Sequence, residues 1–172
     1  LGSVRYIQDA TAGIALYPGT DWSSWSSEPN PGDMVTVTGE LTEYNGLLEV
    51  GPSLTQADVL SSGNLLPDPQ IVTPNQLAEN FEGMLVEIPG TTFDAGGQTI
   101  EGNATSPFNS GGEEGIIYVR TSNSLVGTTL NGCTMNLRGI CSQFSFDGYG
   151  GYQLLPRGAD DMVSTSGICL TS

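Results

Sequence analysis

Residues 32–41, GDMVTVTGEL, and residues 132–141, GCTMNLRGIC, are two versions of one strand. Gly32 matches Gly132, Val35 matches Met135, Val37 matches Leu137, and Gly39 matches Gly139. Apolar and polar side chains alternate in both, the period of a strand with one buried face. Each carries a glycine where a strand would bulge or bend. The segments C-terminal to these strands repeat too: TEYNGLLEVGP turns at Asn-Gly, a strong hairpin signal, and SQFSFDGYGGYQLLPR turns at a Gly-rich run. A duplicated β meander therefore dominates any fold this chain can adopt.

The repeat also defines an absence. VRYIQ at 4–8 reads like IYVRT at 117–121, and the second copy has a further strand before it, MLVEIPGTTFDAGGQTI. The first copy has none, so Val4, Arg5, Tyr6, Ile7 and Gln8 are expected to form an edge open to another strand. Between the copies, SSGNLLPDPQIV reads as a linker and TPNQLAENFEG as one short helix. In that helix Thr73 would be the N-cap, Pro74 the first helical residue and Gln76 the far side of a capping box. The expected organisation is a first module at 1–66, a linker and helix at 67–83, and a second module with a tail strand at 84–172.

Charge narrows the chemistry. There are 19 acidic residues, four arginines, no lysine and no histidine, for a net charge of −15. Without histidine or lysine the commonest general base, the commonest zinc ligand and the Schiff-base amine are all missing. Four scattered arginines make a poor match to a phosphate backbone, so nucleic acid is not expected as a partner. The carboxylates chiefly solvate the surface; Ca²⁺ is the one ion these oxygen-rich loops would suit, although no ligand set can be assigned. No apolar run reaches the roughly 20 residues that span a bilayer.

The run RYIQDATAGIALY, then GDMVTVTGELTEYNGLLEV, FEGMLVEI and GYQLLPRGADDM resembles the tandem OB-fold-like domains of secreted and cell-surface Bacteroidetes proteins, which often accompany nucleases. The resemblance covers nearly the whole chain. It implies an all-β fold of two tandem OB-like Greek-key barrels or sandwiches of about five strands each, the first lacking its N-terminal strand. It also implies an extracellular or cell-surface location.

Cys133 and Cys141 lie eight residues apart in one strand, roughly 26 Å at 3.3 Å per residue, too far to bridge. A disulfide would therefore join one of them to Cys169. Trp22 and Trp25, in a Ser-rich loop, are candidates for ligand or subunit contact, or for a plug over the end of the barrel. Asn103-Ala104-Thr105 is a glycosylation sequon. No hydrolase elbow, phosphate loop or dinucleotide-binding glycine pattern appears, so the reading is non-enzymatic. Taken together, these features suggest a filament subunit that binds copies of itself by strand complementation. The tail around Ile168, Cys169 and Leu170 would act as donor. The second reading is a polysaccharide-binding module of a larger secreted enzyme or adhesin, with glycans as partners.

Overall fold

Alternation becomes strand along most of the chain. A computed structural model describes residues 4–17, 25, 28–93 and 97–171. The first unit contains β1 (Arg5–Gln8), β2 (Gly13–Leu16), β3 (Met34–Tyr44) and β4 (Leu47–Ser61), in sheet order β1-β2-β4-β3. Asn45 (φ 51°) and Gly46 (φ 89°) make the tight turn from β3 to β4, where only residues tolerant of positive φ serve well. The register of β3 on β4 shifts on both sides of Gly39, so the glycine in the repeat marks a bulge.

The second unit opens with β5 (Gln70–Ile71), which runs parallel to β6 (Leu85–Thr91). It continues through β7 (Gln98–Thr99), β8 (Ala104–Ser110), β9 (Glu113–Val119), β10 (Thr129–Leu130), β11 (Met135–Gln143) and β12 (Tyr152–Leu155). β13 (Met162–Ser164) and β14 (Leu170–Thr171) complete it. The main sheet runs β5-β6-β11-β12-β9-β8, with β13 on β11, and β14-β10-β7 form a small second sheet. The architecture is all-β, as expected, but open sheets among the described residues take the place of closed barrels.

The two sheets have the same core order. In the first, a hairpin (β1-β2) is joined in parallel to β4, which pairs with β3. In the second, a hairpin (β8-β9) is joined in parallel to β12, which pairs with β11. This order corrects two expectations. β1 corresponds to β8, so the match of VRYIQ with IYVRT is out by one strand. The extra strand of the second sheet, β6, borders β11. Its place in the first sheet is therefore the outer edge of β3, not the edge at Val4–Gln8. β1 pairs with β2 on one side, and its side chains are spent elsewhere.

The expected helix is also corrected. Pro74–Gln76 and Glu79–Phe81 form two separate 3₁₀ turns, because Ala78 between them is fully extended (φ −158°, ψ 179°). Gln76 Oε1 does accept the Thr73 N–H at 2.8 Å. The segment is shorter than the ~12–15 residues at which helices become self-sustaining, and burial of Leu77 and Met84 sets its path.

One large apolar core lies in the second unit, around Val86, Ile88, Phe108, Ile117, Leu137 and Leu154. A smaller one in the first unit gathers Leu16, Trp25, Leu54 and Ala57. The units meet along a tight seam. The Leu85 N–H donates to Gln8 Oε1 at 2.8 Å, the Leu48 N–H to Glu82 Oε1 at 3.0 Å, and the Ser145 N–H to the Asn45 carbonyl at 2.7 Å.

Candidate functional site

One face of β11 organises the seam. Ile140 and Ser142 stand at alternate positions of the strand, so their side chains point the same way, and Phe144 follows just past its end. Ser142 Oγ shares a 2.9 Å hydrogen bond with Tyr6 Oη of β1. Phe144 meets Tyr44, beside the β3–β4 turn, edge to face at 6.4 Å between ring centres. Ile140 forms part of the floor of a cleft of about 280 Å³.

Val4 and Tyr6 of the first unit and Tyr118, Arg120 and Arg157 of the second also line this cleft, together with the loop Ser122–Ser124. The loop is held from within: the Asn123 amide donates to the Pro156 carbonyl at 2.8 Å and accepts the Leu125 N–H at 2.9 Å. That leaves Ser122 and Ser124 at an exposed rim. A second groove, about 410 Å³, lies between Pro74, Pro107, Glu114 and Tyr152, and its wall contains no cation.

The arginines differ sharply in state. Arg5 pairs with Glu28, Arg138 with Glu87 and Arg157 with Asp161. The last is a fork on both carboxylate oxygens, at 2.9 and 2.6 Å, and Asp161 is 3% exposed. Among the described residues Arg120 has neither a carboxylate within ion-pair distance nor a side-chain hydrogen bond. Its charge acts on Glu49 and Tyr6. It is thus the one guanidinium whose fork remains open to a ligand, in a cleft flanked by two tyrosines.

Glu49 of β4, 3% exposed, interacts electrostatically with Arg120 and Tyr6. Burial raises its pKa above the ordinary carboxylate value, and the positive charge of Arg120 acts against that rise. A carboxyl with a raised folded-state pKa holds its proton more firmly folded than unfolded, so ionising it costs stability as pH climbs past the unfolded value. Glu49→Gln is therefore expected to raise the urea midpoint at pH 7. That gain should shrink as pH falls through the carboxylate range, and a gain independent of pH would refute the assignment.

Further along the seam the aromatic surface is open. Phe146 is 91% exposed and Tyr149 85%, and Phe146 stacks edge to face on Phe144 at 5.3 Å. The C-terminal half of β11 and the residue that follows it thus link an aromatic shelf to a cationic cleft.

The residues singled out from sequence occupy contrasting settings. Tyr6 and Val4 enter the cleft, Arg5 pairs with Glu28, Gln8 accepts the Leu85 N–H across the seam, and Ile7 packs on the small core. Trp25 is 6% exposed and bridges to Ala57, a core plug rather than a contact residue; Trp22 lies outside the described residues. Cys169 is bridged to Cys133, and Leu170 pairs with Leu130, so the tail is engaged by its own chain. Ile168 stays exposed. Asn103 is exposed at positive φ, with its amide oxygen accepting the Thr121 N–H at 3.2 Å. Among the described residues there is no group of three or more acidic, Cys or His side chains fit to hold a metal, and no helix long and apolar enough to cross a membrane. Sequence reasoning missed Arg120 and Tyr118. The only trace of them was IYVRT itself, read as a strand matching VRYIQ.

No family model matches the chain, and no solved structure does. Among curated proteins it is similar to Endonuclease YhcR of Bacillus subtilis (strain 168). The two are 30% identical over 176 aligned positions, which cover 91% of this chain and 13% of the relative. This match overturns the expectations of function and of partner. The filament subunit with copies of itself as partner, and the glycan-binding alternative, give way to a likeness to part of an endonuclease. The exclusion of nucleic acid is likewise withdrawn, since nucleic acid is the substrate of an endonuclease. The nuclease association of the resemblance is retained, here in a Bacillus protein.

Proposed function

From the likeness to a segment of an endonuclease, we propose that this chain is an accessory β module of a nuclease-type protein. It contacts nucleic acid at the seam between its two units, while residues outside it cut. The observation that carries this reading is Arg120, an open guanidinium in a tyrosine-lined cleft on a chain whose other arginines are all neutralised. Guanidinium groups suit phosphate because their fork matches its oxygens. Exposed aromatic rings suit unpaired bases, which stack without regard to sequence. Phe144, Phe146 and Tyr149 supply such rings on the same seam. With no His or Lys, cutting chemistry within this segment would have to rest on carboxylates.

The net charge shapes how such a module would bind. At −15 the surface repels a long phosphate backbone, so contact must be short and local. One neutralised phosphate on a single strand predicts a shallow salt dependence, with log K falling with a slope of about −0.7 against log salt. Fluorescence anisotropy with short single-stranded oligonucleotides checks this. We expect weak binding with that slope, reduced at least tenfold in Arg120→Ala. Undiminished binding by Arg120→Ala would sink the assignment of the cleft, and no binding by the intact chain would sink the reading as a whole.

A further inference from the structure

We infer that the cleft around Arg120 is a receptor for a single phosphorylated strand end, a terminal phosphate monoester with its first nucleotide, rather than for a stretch of continuous strand. The inference rests on the nucleic-acid reading above and narrows it.

Size is the first ground. About 280 Å³ lies just below the usual range of small-molecule sites, roughly 300 to 1,000 Å³. It gives room for one nucleotide-sized group.

Charge is the second. A continuous strand carries one negative charge per phosphodiester and must be met by repeated cations. Here there is one open guanidinium, and the other three among the described residues are paired. A terminal monoester carries about −1.5 to −2 at pH 7 on three acceptor oxygens. It concentrates at one point what a strand spreads over two, which is what a lone cation can exploit. Phosphates farther along would lie over a surface of net charge −15, so each added internal contact is repelled.

Donors are the third. Ser122 and Ser124 lie just after Arg120 on a loop braced by the Asn123 amide and stand at the cleft rim, where their hydroxyls can donate to phosphate oxygens. Tyr6 and Tyr118 line the same space, where aromatic rings can pack against one base. Tyr6 is fixed by its bond to Ser142, and the Tyr118 hydroxyl donates to Asn103 Oδ1 at 3.4 Å. Both rings are therefore positioned before a ligand arrives.

This gives the cleft a place in the reaction. Hydrolysis of a phosphodiester adds one water and leaves one monoester end and one hydroxyl end. A receptor for the monoester retains one product of each cut and leaves intact internal strand free.

The test uses the whole chain and labelled single-stranded octanucleotides of one sequence with a 5′-phosphate, a 3′-phosphate or hydroxyls at both ends. Inorganic phosphate and a nucleoside monophosphate serve as competitors. The expected result is at least tenfold tighter binding of one phosphorylated form than of the hydroxyl form. The monophosphate should compete, and the preference should be lost in Arg120→Gln and weakened in Ser122→Ala/Ser124→Ala. The two phosphorylated oligonucleotides decide which end is taken. Circular dichroism melts confirm that the variants fold, and the paired-serine variant keeps the test valid if Arg120→Gln does not. Equal binding of all three oligonucleotides overturns this inference while the module reading stands. Binding of none of them overturns both.

Discussion

Replacing Cys133 and Cys169 together by serine is expected to lower the stability of this chain by about 4 kcal/mol. The bridge joins residues 36 apart in sequence, with Cα atoms 5.4 Å apart. Opening a loop of that length restores conformational freedom to the unfolded chain, and the loss scales with the logarithm of loop size. In the folded state the bridge fastens a short strand. β14 has only two residues, paired with Thr129 and Leu130. Nearby, the Asn131 N–H donates to the Cys169 carbonyl at 2.8 Å, and the Asn131 amide to the Ile168 carbonyl at 3.1 Å. So short an element holds poorly by backbone pairing alone. The double variant should melt roughly 8–16 °C lower, at 2–4 °C per kcal/mol for a chain of this size. Amide exchange at Leu170 and Thr171 should become fast. An unchanged melting temperature would mean that the tail is held by packing rather than by the bridge. Cys141 should not take over as a partner: it is fully buried, and burial pushes its thiol up to about 12, leaving it unreactive.

The second large effect belongs to Gly13→Ala, expected to cost about 3 kcal/mol, the upper end of overpacking penalties. A Cβ at this position would lie 2.3 Å from the backbone carbon and oxygen of Gly83 and 2.7 Å from the nitrogen of Met84. No flexible side chain can yield, because every obstacle is main chain. Gly83 cannot retreat either: its N–H donates to the Cys141 carbonyl at 2.8 Å, and its φ of +76° suits glycine. The two units touch backbone to backbone here, so the variant should pry the seam apart. The Tyr6–Ser142 and Gln8–Leu85 bonds should weaken, and oligonucleotide binding should fall although Arg120 is untouched. Gly132→Ala is the control, since nothing lies within 4 Å of its added carbon, and it should stay within about 1 kcal/mol of wild type. A urea midpoint for Gly13→Ala as close to wild type as the control's would show that the seam can relax.

The strands were legible for a local reason. Alternation in GDMVTVTGEL and GCTMNLRGIC became β3 and β11, and Asn-Gly in EYNG became the β3–β4 turn, because a pleated half-buried strand and a positive-φ turn each impose their pattern on neighbouring residues. The bridge to Cys169 was legible by elimination, from the length of a strand. TPNQLAENFEG misled because its caps and spacing are those of a helix, whereas its backbone tracks Leu77 and Met84 into the core. The candidate site left almost no trace. Tyr6, Tyr118 and Arg120 come from two units, more than 100 residues apart in sequence, and none has a neighbour that marks it.

The sequence by itself determined that this is a duplicated β meander, where its tight turn falls, and that it carries four cations against a large excess of acid. Only the tertiary structure decided which edge the extra strand occupies, since backbone pairing partners are chosen by long-range packing and not by the residues of one strand. It alone also showed which arginine stays open. Arg5, Arg138 and Arg157 look no different from Arg120 in sequence. They differ because folding carries Glu28, Glu87 and Asp161 to the first three and, among the described residues, brings no carboxylate into contact with the fourth.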